Sequence, residues 1–223
     1  MIKQSRSAAQ SRFPDRGAAL ERYRMRAEGY DGELALFEPL RQEAISRLKL
    51  RDGESVLDVG CGTGLSFAPL KALVGEQGTI VGIEQCPQML NKARERVQAH
   101  GWHGVRLLSE AADEASLRGQ ADAAIFHFTH DILRQPEAIA HVMQHLKPGA
   151  RVVATGLQWA APWVWPVNLF VWSAAMYSVT TMDGLDKPWS ILATFLRDMD
   201  VSTTWMGSIF IATGTWSGRE HEV

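Results

Sequence analysis

Five short apolar runs that alternate with helical segments, a glycine-rich turn closing the first run, and a pair of β-rich runs near the end predict a doubly wound α/β fold. The sheet is expected to be mostly parallel and seven-stranded, ending in an antiparallel hairpin. Parallel neighbours need crossover connections, and the helical segments between the runs supply them.

The elements follow in order. Residues 33–48 place Leu36, Phe37, Leu40, Ile45 and Leu48 at helical spacing, and Arg51, Asp52 and Gly53 end that period before a first strand at 55–59. Gly60, Gly62 and Gly64 crowd the next turn. Leu70, Leu73 and Val74 then form a helix face closed by Gly75 or Gly78, and residues 79–83 make the second strand. Pro87 stands just inside the following helix and Gly101 just past it, with Leu90, Ala93 and Val97 as the buried stripe. Residues 105–108 and 121–128 are the third and fourth strands, and 136–146 a helix with Ile139, Val142, Met143 and Leu146 on one face. Lys147, Pro148 and Gly149 turn into a fifth strand at 151–155. Residues 201–205 and 208–213, parted by Met206 and Gly207, carry the hairpin signal.

The chain has 223 residues, enough for one domain with an embellishment. Charged residues make up 22% and hydrophobic ones 46%, which excludes disorder as the main state. Lys and Arg number 23 against 25 Asp and Glu, so the strong positive field that nucleic acid requires is missing. Cys61 and Cys86 are too few for a disulfide framework and suit a reducing, cytoplasmic setting. The first residues lack the apolar run of roughly 7 to 15 that a secretory signal needs. Residues 1–30 carry seven Lys or Arg against three acids and read as a solvated arm. The expected division is an arm over 1–29, a single domain over 30–216 with a hydrophobic insertion at 157–190, and a tail at 217–223.

The first strand runs directly into Gly60-Cys61-Gly62-Thr63-Gly64, at the carboxyl end where open α/β sheets bind ligands. Glycines there let a ligand lie against the backbone. Twenty residues after Gly64, at the end of the second strand, stands Glu84, the right type and distance to accept both hydroxyl protons of a ribose. Together they imply a nucleoside-containing cofactor. Gly64 is followed by Leu65 and Ser66, so the glycine pattern of a pyrophosphate-binding dinucleotide fold is incomplete.

These residues resemble the class I S-adenosylmethionine-dependent methyltransferases. VLDVGCGTGLS (56–66) is similar to their first motif and VGIEQCPQML (81–90) to their second. The likeness continues through SEAAD (109–113), ADAAIFHFTHDIL (121–133) and LKPGARVVATG (146–156). It implies a Rossmann-like sheet and S-adenosylmethionine as cofactor, leaving S-adenosylhomocysteine. By the same resemblance Gly60, Cys61, Gly62 and Gly64 pass under the methionine part, and Asp58 orders the loop or meets the ammonium. Glu84 binds the ribose, Gln85 and Met89 flank the adenine, and Glu110 with Ala111 meets the adenine edge where the family often has Asp. Phe126 completes the expected contacts. Tyr30 and Asp31 look like the family's Tyr-Asp pair that closes over the cofactor, with Tyr23 a further helper.

Methyl transfer is an in-line displacement, so the protein mainly aligns the partners and needs a base only for a protonated nucleophile. His127, His130 and Asp131 follow the fourth strand and face that point: His127 is the first candidate base, His130 the second, and Asp131 their orienting group. Phe126, Phe128, Trp159 and Trp163 could cradle a cationic amine or simply belong to the core. His141 and His145 have helical metal spacing but lack a third ligand and read as solvated; no metal is expected.

Leu157 to Met182 holds no charged residue and four of the eight tryptophans, yet Pro162, Pro166, Gln158 and Asn168 interrupt it as a spanning helix. A lid over the acceptor site, a homodimer surface and a peripheral membrane contact all remain open. The expected activity is methylation of a small hydrophobic or aromatic acceptor at N, O, S or C. The alternatives are phospholipid or quinone-type methylation at a membrane surface, and a non-catalytic cofactor-binding protein.

Overall fold

The structure is a computed structural model that describes residues 30–218 together with Gly17, Glu21 and Arg24. The rest of the arm, Tyr23 and residues 219–223 of the tail lie outside the described residues.

Seven strands form one sheet: β1 Ser55–Val59, β2 Thr79–Ile83, β3 Val105–Leu108, β4 Ala121–His127, β5 Leu146–Leu157, β6 Leu196–Thr204 and β7 Ile209–Trp216. Their order is β3-β2-β1-β4-β5-β7-β6, with only β7 antiparallel to its neighbours. The chain builds outward from β1 to β3 and then crosses back to β4. The crevice between the carboxyl ends of β1 and β4 is therefore the switch point at which such sheets bind ligands.

The described helices are α1 Tyr30–Leu34, α2 Glu38–Arg47, α3 Phe67–Val74, α4 Pro87–His100, α5 His130–Leu133, α6 Pro136–Gln144, α7 Trp165–Ser178 and α8 Ser190–Ala193. Successive side chains of a strand point to opposite faces, and the core divides accordingly. Leu57, Ala124 and Val152 pack with Ile139 and Val142 of α6 and Leu192 of α8. Val56, Ala123 and Val153 pack with Leu40 and Ile45 of α2, Phe67 and Leu70 of α3, and Leu90 of α4. Both faces are covered, as the doubly wound reading requires.

Three element boundaries differ from expectation. The helical period over 33–48 is split by a 3₁₀ turn, Ala35–Phe37, between α1 and α2. Residues 147–149 do not precede β5 but lie within it: Leu146 already pairs with Ala121, and an irregularity absorbs the turn before Arg151 joins Ala123. β6 begins at Leu196, before the expected residue 201, because an irregularity between Arg197 and Asp200 accommodates Asp198 at φ +51°. β6 is an edge strand with a largely exposed outer face, so its polar residues hid the strand signal. No described helix is long and apolar enough to cross a membrane.

Candidate active site

The glycine turn is fastened to β2. Gly60 and Cys61 both donate their N–H groups to the Ile83 carbonyl, at 2.8 and 3.0 Å, and Gly64 donates to Cys61 at 2.9 Å. Gly60, Gly62 and Gly64 have φ of +73°, +56° and +78°, the left-handed region that glycine enters without strain. A Cβ on Gly60 would lie 2.5 Å from Thr129 Cγ2, so the turn also needs glycine to approach the segment after β4. Glu84 reaches back to this turn. Its Oε2 accepts the Gly62 N–H at 3.1 Å and its Oε1 the Cys86 N–H at 2.7 Å. Burial raises its pKa, and these backbone donors partly offset the rise.

Asp58 is buried in β1 near the turn, and its Oδ2 has no hydrogen-bond partner among the described residues. Burial lifts its pKa to about 7; the Arg41 guanidinium opposes the shift and Glu84 adds to it. Arg41 is a site residue that the periodicity analysis passed over. It is only 2% exposed, pairs through Nη1 with Glu38, and leaves its Nε without a hydrogen-bond partner among the described residues. Its signal was present: Arg41, Ile45 and Leu48 recur at one-turn and two-turn spacing, which sets a cation on a buried stripe.

Asp31 fastens the glycine turn to two helices. One carboxylate oxygen accepts the Thr63 hydroxyl at 2.5 Å, the other accepts Arg96 Nη2, and Arg96 Nε donates to the Thr63 carbonyl at 3.0 Å. The clasp joins α1, the glycine turn and α4. Tyr30 lies in α1, and its side chain is outside the described residues. Met89 is buried at the start of α4, and Gln85 is half-buried just ahead of it. Glu110 accepts the Ser116 N–H and Ala111 accepts the Glu114 N–H, so the turn after β3 is closed locally.

At the end of β4 the expected trio is not assembled as a base with its orienting acid. Neither ring nitrogen of His127 has a hydrogen-bond partner among the described residues; burial and the nearby Arg41 charge push its pKa down to about 3. His130 is pushed to about 4 by burial, with the Arg134 charge acting the same way and the Asp183 backbone acting against it. The Asp131 carboxylate accepts the Thr180 N–H at 3.2 Å, which ties it to the segment beyond α7. Both histidines are therefore neutral across the ordinary pH range.

Of the aromatic residues left open between cation cradle and core, Phe126 is fully buried in the core, and Trp163 is 83% exposed. Phe128 is half-buried against the core, in the left-handed region at φ +56°, with its ring 4.9 Å from that of His127 and 5.0 Å from that of Phe37. Phe37 in turn stacks on Trp205 at 5.5 Å. His141 and His145 are not solvated: both are part-buried, with His141 Nε2 2.9 Å from the Ala115 carbonyl and His145 Nδ1 2.9 Å from that of His141.

Residues 56–149 match the family model described as a methyltransferase domain. The chain is 39% identical over 64 residues to the protein-L-isoaspartate O-methyltransferase of Ignicoccus hospitalis, covering 29% of this chain and 30% of that one. It is 25% identical over 122 residues to the aklanonic acid methyltransferase DauC of Streptomyces sp. strain C5, covering 53% and 55%. In both cases it spans little more than half the relative's length or less. An Aquifex aeolicus SAM-dependent methyltransferase shares the fold with a TM-score of 0.60 at 20% identity, covering 86% of this chain and 97% of that one. The N-methyltransferase NodS of Bradyrhizobium japonicum WM9, in complex with S-adenosyl-L-homocysteine, does so with a TM-score of 0.58 at 15% identity, covering 81% and 87%.

Proposed function

We propose that this chain, whose residues 56–149 match a methyltransferase-domain family model, binds S-adenosylmethionine and transfers its methyl group to a small hydrophobic or aromatic acceptor. The observation that carries the reading is the pair of carboxylates, Asp58 and Glu84, joined to the glycine turn at the carboxyl ends of β1 and β2. Asp58 has a buried oxygen without a hydrogen-bond partner among the described residues, and an amino-acid ammonium would satisfy it. Each Glu84 oxygen accepts a backbone N–H and keeps a second lone pair for a ribose hydroxyl.

On this reading Gly60, Cys61, Gly62 and Gly64 form the backbone floor under the methionine portion. Gln85 and Met89 line the adenine side, Glu110 and Ala111 border its edge, and Tyr30 enters from α1. When bound, the cofactor supplies an electrophilic methyl on a sulfonium. The chain's own task is alignment and exclusion of water. His127, neutral at working pH, accepts a hydrogen bond from the acceptor and so orients its nucleophilic atom. A conjugate acid near 3 makes it a poor proton store, so a displaced proton passes onward to solvent or buffer. His130 holds a second position beside it, and Asp131 holds the insertion through Thr180.

Residues 157–190, which contain α7, supply the apolar wall on the acceptor side, and Phe128 and Phe37 extend it. The test is S-adenosylhomocysteine release by the purified chain with a panel of phenols, amines and thiols, alongside calorimetric titration with S-adenosylhomocysteine. Binding with release supports the reading. Binding without release from any acceptor would leave a cofactor-binding protein, and no binding would remove the reading altogether.

A further inference from the structure

β3 is an edge strand, and its second residue is out of keeping with the strands beside it. Parallel pairing sets Leu57 beside Val81 and Val81 beside Arg106, so the three side chains share one face of the sheet. On that face β1 and β2 bury aliphatic side chains in the core, whereas β3 supplies a guanidinium. Arg106 Nε is buried and has no hydrogen-bond partner among the described residues, and no ion pair among them reaches Arg106. Other sheltered arginines are paired: Arg41 with Glu38, Arg96 with Asp31 and Arg151 with Glu54. A buried charged donor without a partner is costly, so its presence points to a partner from outside the chain.

Arg106 borders a cavity of about 300 Å³. Leu57, Val81, Leu117 and Ala121 give this cavity an apolar floor, and Arg118 joins Arg106 in its lining. Arg118 also lacks a side-chain hydrogen bond or ion pair among the described residues. No Asp or Glu lines the cavity. The acid beside it, Asp122, is already committed. Its Oδ2 accepts the Ser55 N–H and hydroxyl at 2.9 and 3.0 Å, and its Oδ1 accepts Lys147 Nζ at 2.6 Å. The lining thus carries two cations and no counter-charge of its own.

The cavity lies at the amino ends of the strands, since Ser55, Thr79 and Ala121, the first residues of β1, β2 and β4, all border it. The glycine turn and Glu84 follow the carboxyl ends of β1 and β2, so the two places are on opposite edges of the sheet. Arginine forks select oxyanions, which they meet with paired N–H donors. A bare inorganic anion would leave the four aliphatic side chains against water, so the floor asks for a hydrocarbon body as well. A volume of this size suits a compact organic ligand.

We propose that this cavity is a second ligand site, which binds a small organic oxyanion with its carboxylate or phosphate oxygens on Arg106 and Arg118 and its hydrocarbon body on the Leu57–Val81 floor. The site is independent of the methyl-transfer reading and stands apart from the reacting end of the sheet.

The test is methyl NMR of the full chain during titration with cyclohexanecarboxylate, with the neutral cyclohexanecarboxamide and inorganic phosphate as parallel arms. The expected result is a saturable shift of the Leu57, Val81 and Leu117 signals by the carboxylate, and at least about tenfold weaker binding of the amide and of inorganic phosphate. A further arm with cyclohexyl phosphate decides which headgroup the arginines prefer. Arg106→Met keeps an apolar stem over the floor and weakens binding about tenfold or more. Arg118→Gln, on the surface, weakens it about severalfold and serves if the first variant does not fold. Arg94→Gln, an exposed arginine outside the cavity, leaves it unchanged. S-Adenosylhomocysteine affinity is the same in all three variants. Unmoved Leu57, Val81 and Leu117 signals, an equal response to the amide, equally tight inorganic phosphate, or wild-type binding by the folded Arg106 and Arg118 variants would overturn the proposal. So would shifts confined to residues around the glycine turn, because the probe would then occupy the cofactor site.

Discussion

Glu84 Oε2 accepts the Gly62 N–H at 3.1 Å while Oε1 accepts the Cys86 N–H at 2.7 Å, so one carboxylate fixes the glycine turn to the end of β2. The residue proposed to meet a ribose is therefore also a strut for the glycine turn. Glu84→Ala is therefore expected to weaken S-adenosylhomocysteine binding by about 1–3 kcal/mol, through lost charge-assisted hydrogen bonds and a loosened turn. Glu84→Gln retains an acceptor oxygen for one of the two backbone donors and is expected to lose less. Calorimetric titration of the two variants decides it; wild-type affinity in Glu84→Ala would remove Glu84 from the site.

The Asp31–Thr63–Arg96 clasp predicts a smaller effect of a different kind. Asp31 and Arg96 are partly exposed, so solvent screens the pair. Arg96→Met is expected to cost about 0.5–1 kcal/mol of stability and to raise the S-adenosylhomocysteine dissociation constant several-fold, since the Thr63 carbonyl loses its donor. Urea unfolding with parallel titration measures both. An unchanged dissociation constant would show that the clasp holds α1 without shaping the turn.

The parts legible in the sequence are those made by neighbours along the chain. Short continuous apolar runs announced Val56 and Leu57, or Ala123 and Ala124, as strand residues, and the interval from Gly64 to Glu84 marked two consecutive strand ends. Arg41 was half-legible, because its place on the Ile45 and Leu48 stripe is periodic but its proximity to Asp58 and His127 is not. Asp131 reaching Thr180, and Phe37 between Phe128 and Trp205, join residues that only the folded sheet brings together.

His127 separates positioning from binding. With both ring nitrogens lacking a hydrogen-bond partner among the described residues and its pKa near 3, it is expected to act on the acceptor and leave the cofactor alone. His127→Ala should lower kcat/KM about tenfold to a hundredfold while S-adenosylhomocysteine affinity stays within twofold, given the rough size of a single orienting or proton-handling group. The wild-type rate should not fall as pH drops from 7 to 5 on account of His127, since it is neutral throughout. Equal turnover in both proteins would make the residue structural.

Asp58 gives the pH dependence. In the unfolded chain its carboxyl ionises near the ordinary value of 3.8, whereas in the folded protein it does so at about 7. Between these values the folded state holds a proton that the unfolded state has released, so Asp58 favours folding at low pH and loses that contribution as pH rises to about 7. His127 and His130, with pKa values lowered to about 3 and about 4, act in the opposite direction: the unfolded state holds their protons up to about 6.5, so their contribution grows with pH. The wild-type curve contains all three, and the Asp58 part emerges as a difference. The stability of the wild type relative to Asp58→Asn should decline from about pH 4 to about pH 7 and then level off. Cofactor binding reverses the preference, because an ammonium at Oδ2 favours the ionised carboxylate. S-Adenosylhomocysteine binding below pH 7 should therefore release a proton, seen as a dependence of the calorimetric heat on buffer ionisation enthalpy, and affinity should rise with pH up to about 7. Arg41→Met removes the charge that restrains the Asp58 shift, so the levelling point and the affinity plateau both move to higher pH. A wild-type-minus-Asp58→Asn difference that stays flat over pH 4–7 would mean that Asp58 is already ionised in the apo-protein and that its buried oxygen is satisfied in some other way.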